Sequence, residues 1–281
     1  MAVKAENPLV SIVVLNWNGK ELLRNCLKSL RENTNYAPYE VIVVDNASSD
    51  GSTEMVKKEF SWAKLIENKE NRGFAGGNND GIRQSKGEFV LLLNNDTLIK
   101  QSDWLDEMVK AMQRHPLVGI LGPRLVFGDG SVQQIKGAEA EKIVKTVSGA
   151  AFLIRQKVLD EIGLLDEGFN PIYYEETDFS ERTRRKGFLV MYTPKATITH
   201  LEGATTGQKK FSKWKYFLAK KNRLRFQLLN EPLWALVFVL PFEFCISVVS
   251  AARRNAFKEL FSAYAENRKN LGEIMEKRRE R

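Results

Sequence analysis

The chain has 281 residues, of which 43% are hydrophobic and 28% charged, a composition typical of a folded protein and not of a disordered one. Two cysteines and two histidines are too few for a disulfide framework or a histidine-rich metal centre, and they fit a reducing compartment. The net charge of +8 is uneven, because residues 205–281 carry 17 Lys and Arg against seven Asp and Glu. This part therefore predicts an anionic partner, either phospholipid or nucleic acid.

The first third of the chain alternates predicted strands with predicted helices. Continuous apolar runs predict strands at 10–15, 40–44, 63–67 and 89–93, and helical spacing of apolar residues predicts helices at 21–30, 53–59 and 74–85. Such alternation indicates an α/β fold with a parallel sheet and right-handed crossovers. The loops that follow the strands should then open on one edge of the sheet, where ligands bind in open α/β folds.

Polar side chains occupy each of these four loops. The candidate donor-binding residues are Asn16 and Asn18 after the first strand, Asp45 and Asp50 after the second, Arg72, Gly73 and Asn79 after the third, and Asn94 and Asn95 after the fourth. We predict that they converge on one binding site; the alternative is that they are ordinary solvated loops.

The glycines of the third loop predict a close approach of backbone N–H groups to a phosphate, with Arg72 adding positive charge. This loop lacks the Gly-x-Gly-x-x-Gly pattern that follows the first strand of dinucleotide-binding proteins, which excludes a dehydrogenase.

Asp96 ends the fourth strand beside two asparagines. A lone carboxylate flanked by amides suits a hard cation such as Mg²⁺ or Mn²⁺, which takes one or two protein carboxylates and leaves other positions to substrate phosphates. The alternative is that Asn94, Asn95 and Asp96 only turn the chain into the next helix.

The strict alternation ends after residue 113. Predicted elements beyond the fourth strand are helices at 104–113 and 156–162, short strands at 118–122 and 125–127, a strand within 146–155, and strands at 189–193 and 196–199. Small residues around Gly149 indicate a point of close approach.

A second acidic cluster begins at Glu175 and Glu176, just before a predicted helix capped by Thr177. Adjacent carboxylates in apolar surroundings offer a general base whose pKa is raised toward neutrality. We interpret Asp178 as structural, paired with Arg182 four residues on. His200 ends a strand, and both a metal-binding and a structural role stay open for it.

These motifs together resemble the family 2 glycosyltransferases, in particular the rhamnosyltransferase-like branch that builds bacterial cell-surface polysaccharides. The resemblance covers about residues 8–229 and rests on segments in a specific order: 10–19, 44–52, 71–79, 92–96, 148–155, 174–179 and 221–226. It implies an inverting enzyme with a GT-A fold, a nucleoside-diphosphate sugar donor and a glycan acceptor, commonly lipid-linked.

The resemblance also implies roles for single residues. Asp45 would contact the nucleobase, Asp96 matches the last position of the family's Asp-x-Asp metal motif, and Glu176 matches the catalytic base. Two departures stand out, since the first metal-motif position is Asn94 and the base is Glu where the family commonly has Asp.

The remaining part, residues 205–281, predicts a helical membrane-association region attached to a transferase domain at 1–204. Basic and aromatic residues alternate from Lys209 to Asn230. The segment from Leu233 to Ser250 holds a single charged residue, Glu243. A carboxylate and Pro241 near the middle of this short run disfavour a membrane span. We expect an interfacial or re-entrant helix pair on the cytoplasmic face of the cell membrane, contacting an anionic surface; a span, a buried soluble helix and an oligomer contact are the alternatives.

The function predicted from the sequence is thus a membrane-associated inverting glycosyltransferase that uses Mg²⁺ or Mn²⁺ and binds no nucleic acid. A second copy of the chain is a further candidate partner. The rival from another class is a non-catalytic nucleotide-sugar-binding or scaffold protein, suggested by Asn94 and Glu176. A nucleotidyltransferase would need a Gly-rich, Lys-containing loop after the first strand, and this loop is missing.

Overall fold

The computed structural model describes residues 7–201 and 212–281. The predicted domain boundary at residue 204, and Lys209 within the basic segment, lie outside the described residues. The strands are β1 Val10–Asn16, β2 Tyr39–Asp45, β3 Lys64–Glu67, β4 Phe89–Asn94, β5 Thr97–Leu98, β6 Val118–Val126, β7 Lys142–Ile143, β8 Ala151–Arg155 and β9 Leu189–His200. The α-helices are α1 Lys20–Glu32, α2 Ser52–Glu59, α3 Gly73–Arg83, α4 Trp104–Arg114, α5 Gln156–Ile162, α6 Glu175–Arg185, α7 Lys213–Asn230, α8 Leu233–Arg254, α9 Phe257–Lys269 and α10 Leu271–Glu280.

Within the described residues the strands form one mixed sheet in the order β3-β2-β1-β4-β8-β6-β9-β5, and β7 pairs with β9. The four strands predicted first are parallel, and β8 runs antiparallel to β4. The α/β fold and the common edge for the first four loops are therefore confirmed. The antiparallel β8 also places the segment before Ala151 against the end of β4, where the Asn94 N–H donates to the Ala150 carbonyl at 3.0 Å.

Helices cover both faces of the sheet, which is why the first strands read as continuous apolar runs. Alternate residues of β1 enter opposite cores: Val10, Ile12 and Val14 pack with α1 and α4, whereas Val13 packs on the side of α3, α5 and α6. The glycines of α3 serve this packing, because a Cβ at Gly77 would lie 2.3 Å from Leu15 Cδ1. Most of the glycine-rich loop is thus a helix pressed against the sheet.

Three details differ from the sequence predictions. The two predicted pairs of short strands are single strands, β6 and β9, whose pairing shifts register near Pro123 instead of breaking. The predicted cap of α6, Thr177, lies inside the helix, which begins after Tyr174.

The C-terminal part forms four helices. Residues 233–254 form a single helix, α8, which runs unbroken through Pro241 and is not a helix pair. The residues after Ala256 form two helices, α9 and α10, which meet at Asn270. Among the described helices, α8 is the one long and apolar enough to cross a membrane, with a mean hydropathy of 2.1. Two apolar clusters hold these helices: Tyr216 packs with Ala251 and Leu260, and Leu229 packs with Ile274 and with Phe169 from the body of the fold.

Candidate active site

The ends of β1 and β2 build the first wall of the site. Asn16 is fully buried, and its amide donates to Asp45 Oδ1 at 3.0 Å and to Ser48 Oγ at 3.2 Å. The other oxygen of Asp45 accepts from the Ser48 N–H at 2.8 Å. These bonds fix the direction of the Asp45 carboxylate at the edge of the sheet. Parallel pairing places Asn16 directly beside Asp45, as the common-edge prediction requires.

Asn18 and Asp50 tie the neighbouring loops together. Asn18 accepts from the Ser49 N–H at 2.8 Å and has a left-handed backbone with φ of 49°. Asp50 accepts from the N–H groups of Lys20 at 2.9 Å and Ser52 at 3.1 Å, which begin α1 and α2. Burial raises the pKa of Asp50, but the hydrogen bonds from the Ser52 hydroxyl and from these two N–H groups outweigh it and hold the pKa below its ordinary value. Asp50 therefore orients two helix starts beside the site.

The start of α3 is bound by its own side chains. Arg72 pairs with Asp80 and, at 3.0 Å, with Glu167. Asn79 is buried, donating to the Leu165 carbonyl at 3.0 Å and accepting from the Leu165 N–H at 3.0 Å. The polar groups of Asn79 are thus engaged by the loop before α6, and the Arg72 side chain beside Gly73 is 31% exposed.

The end of β4 reaches the same edge through Asn95 and Asp96. Asn95 donates to Asn16 Oδ1 at 2.7 Å, which links this loop to the end of β1. Asp96 is 5% exposed, and its Oδ1 has no hydrogen-bond donor. A buried carboxylate oxygen without a donor is unfavourable unless a cation faces it. Asn94 is partly buried and lies beside Ala150.

His200 ends β9 next to Asp96, with its Nε2 3.3 Å from Asp96 Oδ1. Gln133 holds the histidine from behind: its Nε2 donates to the His200 carbonyl at 2.6 Å, and its Oε1 lies 3.0 Å from His200 Nδ1. Because that amide oxygen can only accept, Nδ1 donates to it, and Nε2 is the ring nitrogen that faces Asp96. When Nε2 carries no proton, it and Asp96 Oδ1 present lone pairs that suit a divalent cation.

The residues described in 7–201 and 212–281 contain no group of three or more His, Cys, Asp and Glu side chains placed to hold a metal ion. Asp96 and His200 would supply two ligands. Mg²⁺ and Mn²⁺ sites in which substrate phosphates and water complete the shell need no more than that. The donor set therefore fits a hard or borderline divalent cation that binds together with a diphosphate.

Glu175 and Glu176 are the first two residues of α6. Glu175 is 1% exposed with an unpaired Oε1, and burial followed by the neighbouring charge of Glu176 raises its pKa well above the ordinary value. Burial also raises the pKa of Glu176, which is partly exposed. Gly149 lies between Glu176 and the start of α3: a Cβ there would lie 3.8 Å from the Glu176 side chain and 3.4 Å from Phe74, both ordinary van der Waals distances. Asp178 bonds Arg182 at 2.9 Å, as predicted, and is structural.

Two residues near the site were not identified from the sequence. Trp17 lies between Asn16 and Asn18 and is 49% exposed, an unusual position for an indole that no packing requires. Its place inside a polar loop was a usable signal. Gln133 carried no signal, because it lies 67 residues from His200 in a hairpin without a motif.

The chain is similar in sequence to known glycosyltransferases. The family model described as glycosyl transferase family 2 matches residues 11–174. Over 243 residues the chain is 24% identical to an N-acetylglucosaminyl-diphospho-decaprenol L-rhamnosyltransferase of Mycobacterium tuberculosis, covering 71% of this chain and 78% of the relative. It is 28% identical over 226 residues to the O-antigen biosynthesis protein RfbC of Myxococcus xanthus, but spans only 18% of that longer protein.

Solved structures support the fold. A mannosyltransferase from Pyrobaculum calidifontis, solved with GDP-Man and Mn²⁺, superposes with a TM-score of 0.62 at 18% identity, covering 94% of this chain and 76% of its own. GalNAc-T7 with UDP, GalNAc and Mn²⁺ gives a TM-score of 0.63 at 16% identity over 80% of this chain and 48% of its own. At these identities the likeness establishes the arrangement of strands and helices alone.

Proposed function

The chain belongs to glycosyl transferase family 2, and from this premise we propose that it is an inverting glycosyltransferase acting on a nucleoside-diphosphate sugar. One observation carries the proposal: the Asp96–His200 pair follows β4, whose last residue Asn94 bonds Ala150, and the Glu176 side chain lies beside the adjacent Gly149. We propose that these groups line one cleft at the edge of the sheet. Such a cleft can hold a charged leaving group on one side and a proton acceptor on the other.

The nucleotide would lie over the ends of β1 and β2. Asp45, held by Asn16 and Ser48, offers acceptor oxygens to the N–H groups of a nucleobase. The nucleobase can stack on the exposed ring of Trp17, a contact that does not depend on which nucleobase is bound. Asn18, Arg72, Gly73, Asn94 and Asn95 complete the donor-binding set, whereas Asp50 and Asn79 support it through their bonds to neighbouring backbone.

The reaction would be a single displacement. Glu176 takes the proton of the acceptor hydroxyl, whose oxygen forms a bond to the anomeric carbon while the bond from that carbon to the nucleoside diphosphate breaks. Attack from the face opposite the leaving group inverts the anomeric configuration. The burial that raises the pKa of Glu176 makes it a stronger base, so it removes the proton more readily at neutral pH.

A divalent cation, Mg²⁺ or Mn²⁺, bound by Asp96 and His200 would neutralise the charge that develops on the departing diphosphate. Gln133 keeps the His200 lone pair directed toward the cation site. Asn94, in place of a second carboxylate, leaves the binding of the cation more dependent on the diphosphate itself.

The acceptor would be a glycan, carried on a lipid, at a membrane surface. The outer face of α8 exposes large apolar side chains, including Trp234 and Phe238 at 73% each and Phe242 at 66%. The one acid of this helix, Glu243, points inward, where its side chain is 12% exposed and pairs with Arg223. The inner face packs on α7 and α9 through Ser247 and Ala251.

A helix packed along one side and apolar along the other fits an orientation in the plane of the membrane. Exposed Arg253, Arg254 and Lys258 beside the apolar face favour an anionic surface. The cytoplasmic face and a dimer of two copies stay predictions.

Two measurements test the proposal. The purified protein is screened by thermal shift against dTDP, UDP, GDP and CDP with and without Mn²⁺, and we expect one nucleotide to raise the melting temperature, more so with metal. The matching nucleotide sugar is then supplied with N-acetylglucosaminyl-diphospho-decaprenol as an acceptor probe, and nucleoside diphosphate release is followed.

Glu176→Gln should bind the nucleotide as the wild type does and lose at least about 100-fold in turnover, because proton removal by a placed base contributes on that order. Wild-type turnover in this variant would refute the base assignment. Nucleotide binding without turnover by the wild type across glycan acceptors would favour the scaffold alternative, and release of inorganic diphosphate would favour a nucleotidyltransferase.

A further inference from the structure

The loop from Phe169 to Tyr173, which leads into α6, has every one of its backbone carbonyls bound from outside the loop. The Asn222 amide nitrogen lies 2.6 Å from the Phe169 carbonyl, 2.9 Å from that of Ile172 and 2.9 Å from that of Tyr173. The neighbouring Lys221 donates to the Asn170 carbonyl at 2.6 Å. The remaining carbonyl, of Pro171, accepts from the Phe74 N–H at 2.8 Å, at the start of α3. Two adjacent residues of α7 thus bind four of the five carbonyls.

These contacts are buried. Asn222 is 0% exposed and Lys221 is 8% exposed, so water does not compete for the same carbonyls. The loop also inserts an apolar anchor, because the fully buried ring of Phe169 packs with Leu229 of α7 and Ile274 of α10. The attachment of the loop to the C-terminal helices is therefore both polar and apolar.

The loop needs such an attachment because its last two residues are strained. Tyr173 and Tyr174 have φ values of 88° and 77°, in the left-handed region that bulky residues rarely adopt. Strained backbone persists only where the surroundings over-determine it. Here Asn222 binds the Tyr173 carbonyl, and the Tyr174 ring packs on Phe226 of α7 with centroids 5.7 Å apart.

The strained pair sets the start of α6, since Tyr174 is the residue before the helix and Glu175 and Glu176 are its first two residues. A change in the backbone at Tyr173 or Tyr174 would therefore move the Glu176 carboxylate. The same loop touches the donor side, where a Cβ at Gly73 would lie 2.2 Å from Asn170 Oδ1. The loop is held between α7 and the segment that begins α3.

We propose that Lys221 and Asn222 are positioning residues for the catalytic base, so that α7 is part of the active site as well as of the C-terminal helical region. Helix α7 lies wholly outside residues 11–174, which the family model matches. The inference rests on the proposed function, in which Glu176 is the base.

The test uses the full chain, with Asn222→Ala and Lys221→Met as variants. Asn267→Ala is the matched control, because Asn267 is also a buried amide that donates to helix backbone, to Lys221 and Ala263 carbonyls, without touching the loop. Backbone hydrogen exchange of residues 169–176 is measured by mass spectrometry. Turnover is measured as nucleoside diphosphate release with the nucleotide sugar found in the screen and N-acetylglucosaminyl-diphospho-decaprenol as acceptor.

In Asn222→Ala we expect exchange of residues 169–176 to rise at least about tenfold and kcat to fall about 100-fold, since misplaced catalytic groups cost on that order. The donor KM should change much less than kcat, by about threefold at most, because Gly73 is the one residue of the donor-binding set shown against this loop. The acid limb of the kcat–pH profile should move to lower pH, because a loosened loop admits water to Glu176 and removes the burial that raises its pKa. Asn267→Ala should change none of these.

The proposal is overturned if Asn222→Ala keeps kcat within about threefold of wild type, or if its loss lies wholly in the donor KM with the acid limb unmoved. If Asn222→Ala does not fold, the comparison of Lys221→Met with Lys221→Arg decides, because arginine keeps a donor to the Asn170 carbonyl and methionine does not. A low kcat in Lys221→Met that is recovered in Lys221→Arg supports the proposal. Equal values of kcat in the two variants refute it. Faster exchange of the loop together with full activity of Glu176→Gln would refute the base assignment and leave the anchoring of the loop intact.

Discussion

The pairing of Gln133 with His200 gives the sharpest prediction about the metal site. Replacing Gln133 by leucine removes the acceptor at 3.0 Å from His200 Nδ1 and the donor at 2.6 Å from the His200 carbonyl. The imidazole then loses the bond that keeps its proton on Nδ1, and the tautomer with the proton on Nε2 competes with metal binding.

The magnitude follows from the two bonds. Each contributes about 1 kcal/mol net to holding the ring, so Gln133→Leu should weaken Mn²⁺ binding by at most about 2 kcal/mol, which corresponds to roughly 30-fold. This lies within the range of about 10- to 100-fold typical for partners that orient a metal-bound histidine.

The assay is titration of Mn²⁺ into the protein saturated with the nucleoside diphosphate from the screen, at pH 8. Gln101→Leu is the matched control: Gln101 also holds β9, donating to the Lys195 carbonyl at 2.8 Å and accepting from the Thr197 N–H at 2.8 Å, but it does not touch the His200 ring. We expect wild-type affinity in the control. Unchanged affinity in Gln133→Leu would refute the tautomer argument, and unchanged affinity in His200→Ala would remove His200 from the metal site.

Two further predictions concern the membrane and acid stability. Phe238→Glu should weaken co-sedimentation with phosphatidylglycerol vesicles by roughly 30-fold, because about 2 kcal/mol of apolar burial is lost. The control is Leu117→Glu, at a site 65% exposed on the body of the fold. A change in oligomeric state without a change in vesicle binding would mean that a second copy covers the apolar face of α8. Asp166→Asn should lower stability at pH 7: burial raises the pKa of Asp166, but Arg225 and Lys277 outweigh it and lower the pKa from 3.8 to about 2. The carboxylate thus contributes about 2 kcal/mol to the free energy of unfolding above pH 4, and this contribution is lost as the pH falls toward 2. The free energies of unfolding of variant and wild type, measured in urea, should therefore converge over this interval. A difference that does not depend on pH would contradict this role of the Asp166 carboxylate.

The resemblance to family 2 glycosyltransferases is confirmed by the family match, and so are the α/β fold and the parallel order of the first four strands. These features were readable because they repeat locally. A strand buried on both faces reads as an apolar run, and parallel strands place their final loops on one edge whatever the rest of the chain does.

The same local chemistry did not reveal which polar residues are already engaged inside the protein. Asn79 and Asp50 look like ligand-binding residues in the sequence, yet their polar groups bind Leu165 and the first turns of α1 and α2. A sequence gives the side chain but not its partner, and a buried amide or carboxylate takes the nearest backbone group that the fold supplies.

By itself the sequence determined the elements, their alternation, the polar edge and the candidate base, because period and side-chain type are local properties. Only the tertiary structure decided that Gln133 holds the His200 ring, that Asn222 binds the loop before Glu176, and that α8 turns Glu243 inward. Each of these pairs joins residues 20 or more positions apart. Their meeting depends on how helices and strands pack in three dimensions, which no periodicity along the chain encodes.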